Sequence, residues 1–113
     1  MRALQLPGAA AERRARRHYR IRGYRVLAEN ARLAGVEVDL IFRRGSVVVF
    51  CEVKEKTGGS FGAPLEMVDE RKQERLRRAA GMWLAREQDE SLTARFDVVS
   101  VQAGKLERLE RAF

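Results

Sequence analysis

The sequence predicts an α/β fold: a mixed sheet with helices packed on it. Three observations carry that expectation. Two stretches, 36–43 and 47–54, have the two-residue alternation of strands and are joined by a glycine turn. A helix-length apolar stripe follows, and then a β-branched run around Val98, Val99 and Val101. That is the order of a right-handed crossover between parallel strands. The chain has 113 residues, room for one core and one domain, 1–113.

Residues 8–22 read as a helix rich in alanine and arginine, stopped by Gly23. Tyr19 and Ile21, with Tyr24, Val26 and Leu27, are expected to supply apolar contacts around its exit. Residues 24–29 read as a short strand. In 36–43, Val36, Val38, Leu40 and Phe42 are expected on one face, and Glu37, Asp39, Ile41 and Arg43 on the other. Arg44-Gly45-Ser46 is a turn. In 47–54, Val47, Val49, Cys51 and Val53 share one face; Val48, Phe50, Glu52 and Lys54 share the other. This segment is apolar on both faces until its last residues, as a central strand is. Residues 57–64 are a glycine-containing loop. Asp69 is an N-cap for a helix reaching Gln88, with an inward stripe of Leu76, Ala79, Ala80, Trp83 and Leu84. Residues 105–113 are a last short strand or an extended tail.

Lys and Arg number 23 against 16 Asp and Glu, a net charge of +7 and a pI near 10.5. An excess this large in a small domain suggests a polyanionic partner, most often nucleic acid. Arg13, Arg14, Arg16, Arg17, Arg20, Arg22 and Arg25 crowd one stretch; Arg71, Lys72, Arg75, Arg77 and Arg78 crowd another, with Lys56 between them in the chain. Arginine suits bidentate phosphate contacts. Singly, each is as well explained by a solvated helix face; together, the clusters favour phosphate binding. The longest apolar run, Val47 to Cys51, is far short of the roughly 20 residues of a membrane span. The N-terminus has no apolar leader-like stretch. One cysteine excludes an internal disulfide and a cysteine-cluster zinc site. The expectation is a soluble cytoplasmic protein with no membrane partner.

The chemistry concentrates on the two alternating segments. Glu37 and Asp39 stand at i and i+2, as do Glu52 and Lys54. A hairpin through Gly45 sets Asp39 roughly opposite Glu52, level after one residue of bulge or turn adjustment. Neighbouring strands lie ~4.8 Å apart, so two such carboxylates can share a divalent cation. Like charges side by side destabilise a sheet unless something neutralises them. Mg²⁺ or Mn²⁺ does so with oxygen ligands and waters. An Asp and a Glu-x-Lys are what metal-assisted phosphodiester hydrolysis needs. The same residues also fit a cross-strand ion-pair ladder on an exposed face.

Asp39 with Glu52-Val53-Lys54 resembles the motif of the PD-(D/E)xK nuclease superfamily. Nearly the whole chain is similar to the YraN-like family of small bacterial proteins, itself similar to archaeal Holliday junction resolvases. The matching stretches are Glu12, Gly23-Tyr24, Asn30, Glu37-Val38-Asp39-Leu40-Ile41, Phe50-Cys51-Glu52-Val53-Lys54, Phe61-Gly62, Lys72, Arg95-Phe96-Asp97-Val98-Val99 and Ala112-Phe113. The resemblance implies a restriction-endonuclease-like core. It implies Glu12, Asp39 and Glu52 as metal-site carboxylates, Lys54 as the catalytic lysine, and branched or structured DNA as substrate. The chain departs from the family pattern at Val36, which separates Gly35 from Glu37. It departs again at Glu55-Lys56, where Thr or Ser and then Arg is usual. Glu55 adds a carboxylate beside the site.

Some residues keep two readings. Glu37 serves the metal through water, or pairs with an arginine. Glu12 joins the site, or balances Arg16 by an i, i+4 pair. Lys72 meets phosphate, or is solvated. His18 has no assigned role, Trp83 reads as core, and Cys51 as an inert core thiol. The Gly58-Gly59 loop lacks the Gly-Lys-Ser/Thr ending of a P-loop and reads as a flap over DNA. The leading expectation is a Mg²⁺- or Mn²⁺-dependent DNA endonuclease. Asp39 and Glu52 hold metal with Glu12 and Glu37 assisting, Lys54 acts on the phosphate, and Arg13, Arg16, Arg17, Arg20, Lys56, Arg71, Lys72 and Arg75 hold the backbone. Cutting both strands of a junction calls for two sites, hence a homodimer. The alternatives are a nucleic-acid-binding module that keeps the fold without cutting, and an interaction protein whose basic surface meets an acidic partner.

Overall fold

The computed structural model describes residues 8–56 and 68–113. The order of elements is α1 (Ala9–Ile21), β1 (Arg25–Leu33), β2 (Val36–Arg44), β3 (Val47–Lys56), α2 (Glu70–Glu87), β4 (Thr93–Gln102) and β5 (Lys105–Leu109). The strands form one mixed sheet in the order β1-β2-β3-β4-β5. All neighbouring pairs are antiparallel except β3 and β4, which run parallel across the α2 crossover. This is the α/β architecture the alternation and the crossover order predict, and it is consistent with a restriction-endonuclease-like core.

Alternation in the central strands splits the core into two layers. Val48, Phe50 and Val98 pack with Leu76, Ala79 and Ala80 of α2. Val49, Cys51, Val53, Val99 and Val101 pack with Ala11, Ala15 and Tyr19 of α1. The two helices therefore cover opposite faces of the sheet. Alanines at the α1 contact leave no exposed surface and let the helix backbone lie close to the strands. Tyr19 stacks on Phe42 at 4.1 Å and donates from its hydroxyl to the buried Asp97 (2.5 Å). Arg95 holds the same carboxylate through both of its oxygens, at 2.9 and 2.8 Å. Trp83 and Leu84 lie partly buried against the α2 layer, and Cys51 is fully buried, as expected.

Several expectations need correction. Ile21 is 71% exposed, and Leu27 packs in the opposite layer from Tyr19. Two helical residues turn the side chain through roughly 200°, so Tyr19 and Ile21 cannot both face the sheet. The first strand continues past residue 29 to Leu33. It is an edge strand, and its exposed Glu29, Asn30 and Arg32 hide the alternation. The face assignment in β2 also slips: Val36 and Val38 join Ile41 in the α2 layer, whereas Leu40 and Phe42 join the α1 layer. The change of face falls at Asp39–Leu40, opposite Asn30, whose φ of 49° is left-handed. A one-residue irregularity moves every later side chain to the other face. The hairpin loop is two residues long, Gly45 and Ser46, because Arg44 pairs with Val47. Gly45 has a φ of 60°, which a side chain would resist. Of the two readings of 105–113, the strand is the one found, over Lys105–Leu109, joined to β4 through Ala103 and Gly104.

Candidate metal and phosphate site

The antiparallel register of β2 and β3 runs through Leu40↔Cys51. It points Asp39 at the level of Glu52 with no adjustment of the turn. The ladder stops there, and the Asp39 side chain takes over: Oδ2 accepts the Val53 N–H at 2.8 Å. A carboxylate that replaces a ladder partner is pinned to the backbone of the neighbouring strand. Glu52 faces α2, and its side chain is only 4% exposed. Lys54, two residues on and hence on the same face, brings Nζ to 3.3 Å from Glu52 Oε1. Lys72 of α2 brings its own Nζ to 3.7 Å from the same oxygen. Glu52 Oε2 is buried with no hydrogen-bond partner.

Lys72 arrives there for a local reason. The Asp69 side chain accepts the Lys72 N–H at 2.8 Å and caps α2. The buried Leu76 lies four residues further on, so Lys72 belongs to the inward stripe of the helix. That stripe begins one turn earlier than the apolar residues show. The sequence reading of Lys72 as a phosphate contact or a solvated residue missed its place against Glu52, although the i, i+4 spacing to Leu76 carries the signal.

Burial pushes the Asp39 carboxyl above its ordinary pKa, against the pull of the Val53 N–H and of Lys72 and Lys54. Glu52 is raised by burial and then by the charge of Asp39, again opposed by both lysines. Glu12 on α1 is raised by burial and then by Asp39, with Glu37 and Glu29 adding to it and Arg16 opposing. Negative charge thus gathers around Asp39 from three elements. Glu12 and Glu37 interact with Asp39 through charge. Arg16 makes its ion pair with Glu29, at 2.7 Å.

Among the described residues no group of three or more His, Cys, Asp or Glu side chains is placed to hold a metal ion. Mg²⁺ commonly takes only one or two carboxylates and completes its octahedron with water and phosphate oxygens. Asp39 and Glu52, with the buried Glu52 Oε2 lacking a hydrogen-bond partner, fit that pattern. Four direct carboxylate ligands would not be needed.

The basic residues surround this site unevenly. Arg13, Arg17 and Arg20 are exposed on α1, and Arg71 and Arg75 on α2. They lie on opposite faces, so the two arginine clusters do not form one surface across the sheet. Lys56 is exposed at the end of β3, on the site's own strand. Arg20 stands eight residues from Glu12, about 12 Å along the helix, so its end of α1 points away from the carboxylates. The Gly58-Gly59 flap and Phe61-Gly62 lie outside the described residues.

Residues 11–101 match the family model described as the uncharacterised protein family UPF0102. The chain is similar to a UPF0102 protein of Symbiobacterium thermophilum, 44% identical over 102 residues, covering 90% of this chain and 86% of the relative. It is similar to one of Klebsiella pneumoniae, 41% identical over 108 residues, covering 94% and 84%. It is also similar to one of Shewanella amazonensis, 40% identical over 107 residues, covering 95% and 98%. With a family model over most of its length and relatives this close across both chains, the protein belongs to the UPF0102 family, the YraN-like family its motifs resemble.

Proposed function

We propose that this protein is a divalent-metal-dependent DNA endonuclease acting on branched or structured DNA. The observation that carries the reading is Glu52: buried beside Asp39, with one oxygen against two lysines and the other without a partner. Burying two carboxylates together is costly unless a cation compensates. Mg²⁺ or Mn²⁺ held by Asp39 and Glu52 would supply Lewis-acid polarisation of a phosphate oxygen and a more acidic bound water. Lys54, beside Glu52, would orient the attacking water or offset charge on the phosphate. Glu12 and Glu37 strengthen the negative potential that attracts the ion. Arg13 and Arg17 on one face, Arg71 and Arg75 on the other, and Lys56 at the strand end supply backbone contacts whose strength falls with salt. Two such sites in a homodimer would serve both strands of a junction.

The test is cleavage of a panel of single strands, duplexes, flaps and four-way junctions in Mg²⁺, Mn²⁺ or EDTA. Cutting that needs metal and disappears in Asp39→Asn and Lys54→Ala supports the reading and identifies the substrate. Cutting that survives both substitutions refutes the assignment of the site. The small ligand set and the extra carboxylate of Glu55 favour a second reading, a DNA-binding module that keeps the fold without cutting. Salt-sensitive retention of DNA with no cleavage at any metal concentration would select it.

A further inference from the structure

Two lysines address one oxygen of Glu52. They are not equivalent. Lys54 belongs to β3 itself, lies closer, and hydrogen-bonds the carboxylate it faces. Lys72 reaches in from α2 and stands at 3.7 Å, beyond hydrogen-bond distance, so it contributes charge without a directional bond. Its side chain is 32% exposed, against 4% for Glu52, so Lys72 stays in contact with solvent where Glu52 does not. Its backbone N–H donates to the Asp69 side chain, which fixes the start of α2 beside Glu52.

Charge balance gives the pair a consequence. Asp39 and Glu52 carry two negative charges, and Lys54 and Lys72 carry two positive ones. These four groups balance one another without a divalent ion, and Glu12 and Glu37 add negative potential around Asp39. When an ion enters, it takes over the neutralisation of the two carboxylates, and Lys72 is released to face a phosphodiester. We propose that Lys72 is the exchangeable countercharge of this site: it neutralises the buried carboxylates while no divalent ion is bound, and serves the substrate phosphate once one is. This rests on the nuclease reading. It makes metal and phosphate binding mutually favourable, because the ion frees Lys72 for the phosphate and the phosphate holds Lys72 off the carboxylates. It also makes Lys72, before metal enters, a competitor of the metal.

The test is Mn²⁺ titration of the full chain, followed by electron paramagnetic resonance of the free ion. Wild type is compared with Lys72→Gln, Lys72→Arg and Asp39→Asn, and thermal melts report the fold of each variant. Removing one positive charge a few ångströms from a divalent ion should tighten Mn²⁺ binding by about tenfold. Lys72→Arg keeps the charge and should bind within about twofold of wild type. Retention of a duplex oligonucleotide, with Ca²⁺ in place of Mn²⁺, should weaken several-fold in Lys72→Gln. Mn²⁺ affinity in Lys72→Gln equal to or below wild type overturns the exchange, and the nuclease reading stands if Asp39→Asn still abolishes binding. Unchanged DNA retention in Lys72→Gln overturns the phosphate half of the proposal. Mn²⁺ binding absent from wild type and from Lys72→Gln alike removes the metal site itself, and the proposal with it.

Discussion

Glu52 shows how much one side chain can constrain. Its carboxyl and that of Asp39 are both raised by burial, so the folded chain holds protons that the unfolded chain has released. A raised carboxyl pKa stabilises the fold below the unfolded value, about 4, and that contribution is lost as pH rises through the folded value. Without divalent ions, stability should therefore fall as pH rises through the carboxylate range. Urea denaturation in EDTA across that range checks the slope. Glu52→Gln should flatten it, and Mg²⁺ should restore stability to wild type at neutral pH but not to the variant. A second residue-scale case is Tyr19. Tyr19→Phe removes one buried hydrogen bond to Asp97, while Arg95 keeps holding the carboxylate. The expected cost is about 1 kcal/mol, read from the same denaturation curves. A cost several times larger would mean that the hydroxyl also orders Arg95.

At the scale of elements, α2 does two jobs. It carries the crossover that makes β3 and β4 parallel, and its first turn delivers Lys72 to Glu52. Asp69 links the two jobs through its cap on the Lys72 N–H. Asp69→Ala should cost about 1 kcal/mol of stability. If the cap also positions Lys72, the same substitution should shift Mn²⁺ affinity in the direction of Lys72→Gln. A thermal melt and a Mn²⁺ titration on the one variant separate the two effects. The irregularity in β2 is the other element-scale feature. It lets Leu40 and Phe42 fill the α1 layer while Val36, Val38 and Ile41 fill the other, and it falls where Asp39 leaves the ladder for the Val53 N–H.

At the scale of the whole molecule, the sheet separates two basic helices, and the carboxylates lie where the β2–β3 pairing ends, with Glu12 of α1 and Lys72 of α2 acting on them. DNA held by both helices would have to pass around the edge of the sheet. Replacing Arg71 and Arg75 with Gln should lower the slope of log affinity against log salt by about 2, and the same holds for Arg13 and Arg17. Filter binding over a salt series measures both slopes. A change for only one pair would place the nucleic acid on that face alone. Arg20→Gln, at the far end of α1, should change the slope least. Among the described residues no helix is long and apolar enough to cross a membrane.

The order of elements, the α2 cap, the parallel crossover and the inward stripe around Leu76 were legible in the sequence. Each depends on local periodicity or on a neighbour within four residues. Asp39, Glu52 and Lys54 were legible as a group, because a short hairpin turns sequence distance into register. Other features depend on contacts between distant segments, which no local pattern records. The length of β1, whose exposed edge hides its alternation, is one. The change of face at Asp39 is another, set by what the neighbouring strand offers its carboxylate. The buried Tyr19–Asp97–Arg95 network joins residues up to 78 positions apart. The opposite placement of the two arginine clusters followed only once each helix had chosen its face. Local chemistry determined which elements form and which residues carry charge. Tertiary packing decided that Lys72 meets Glu52, because only the crossover brings the start of α2 back over the end of β3.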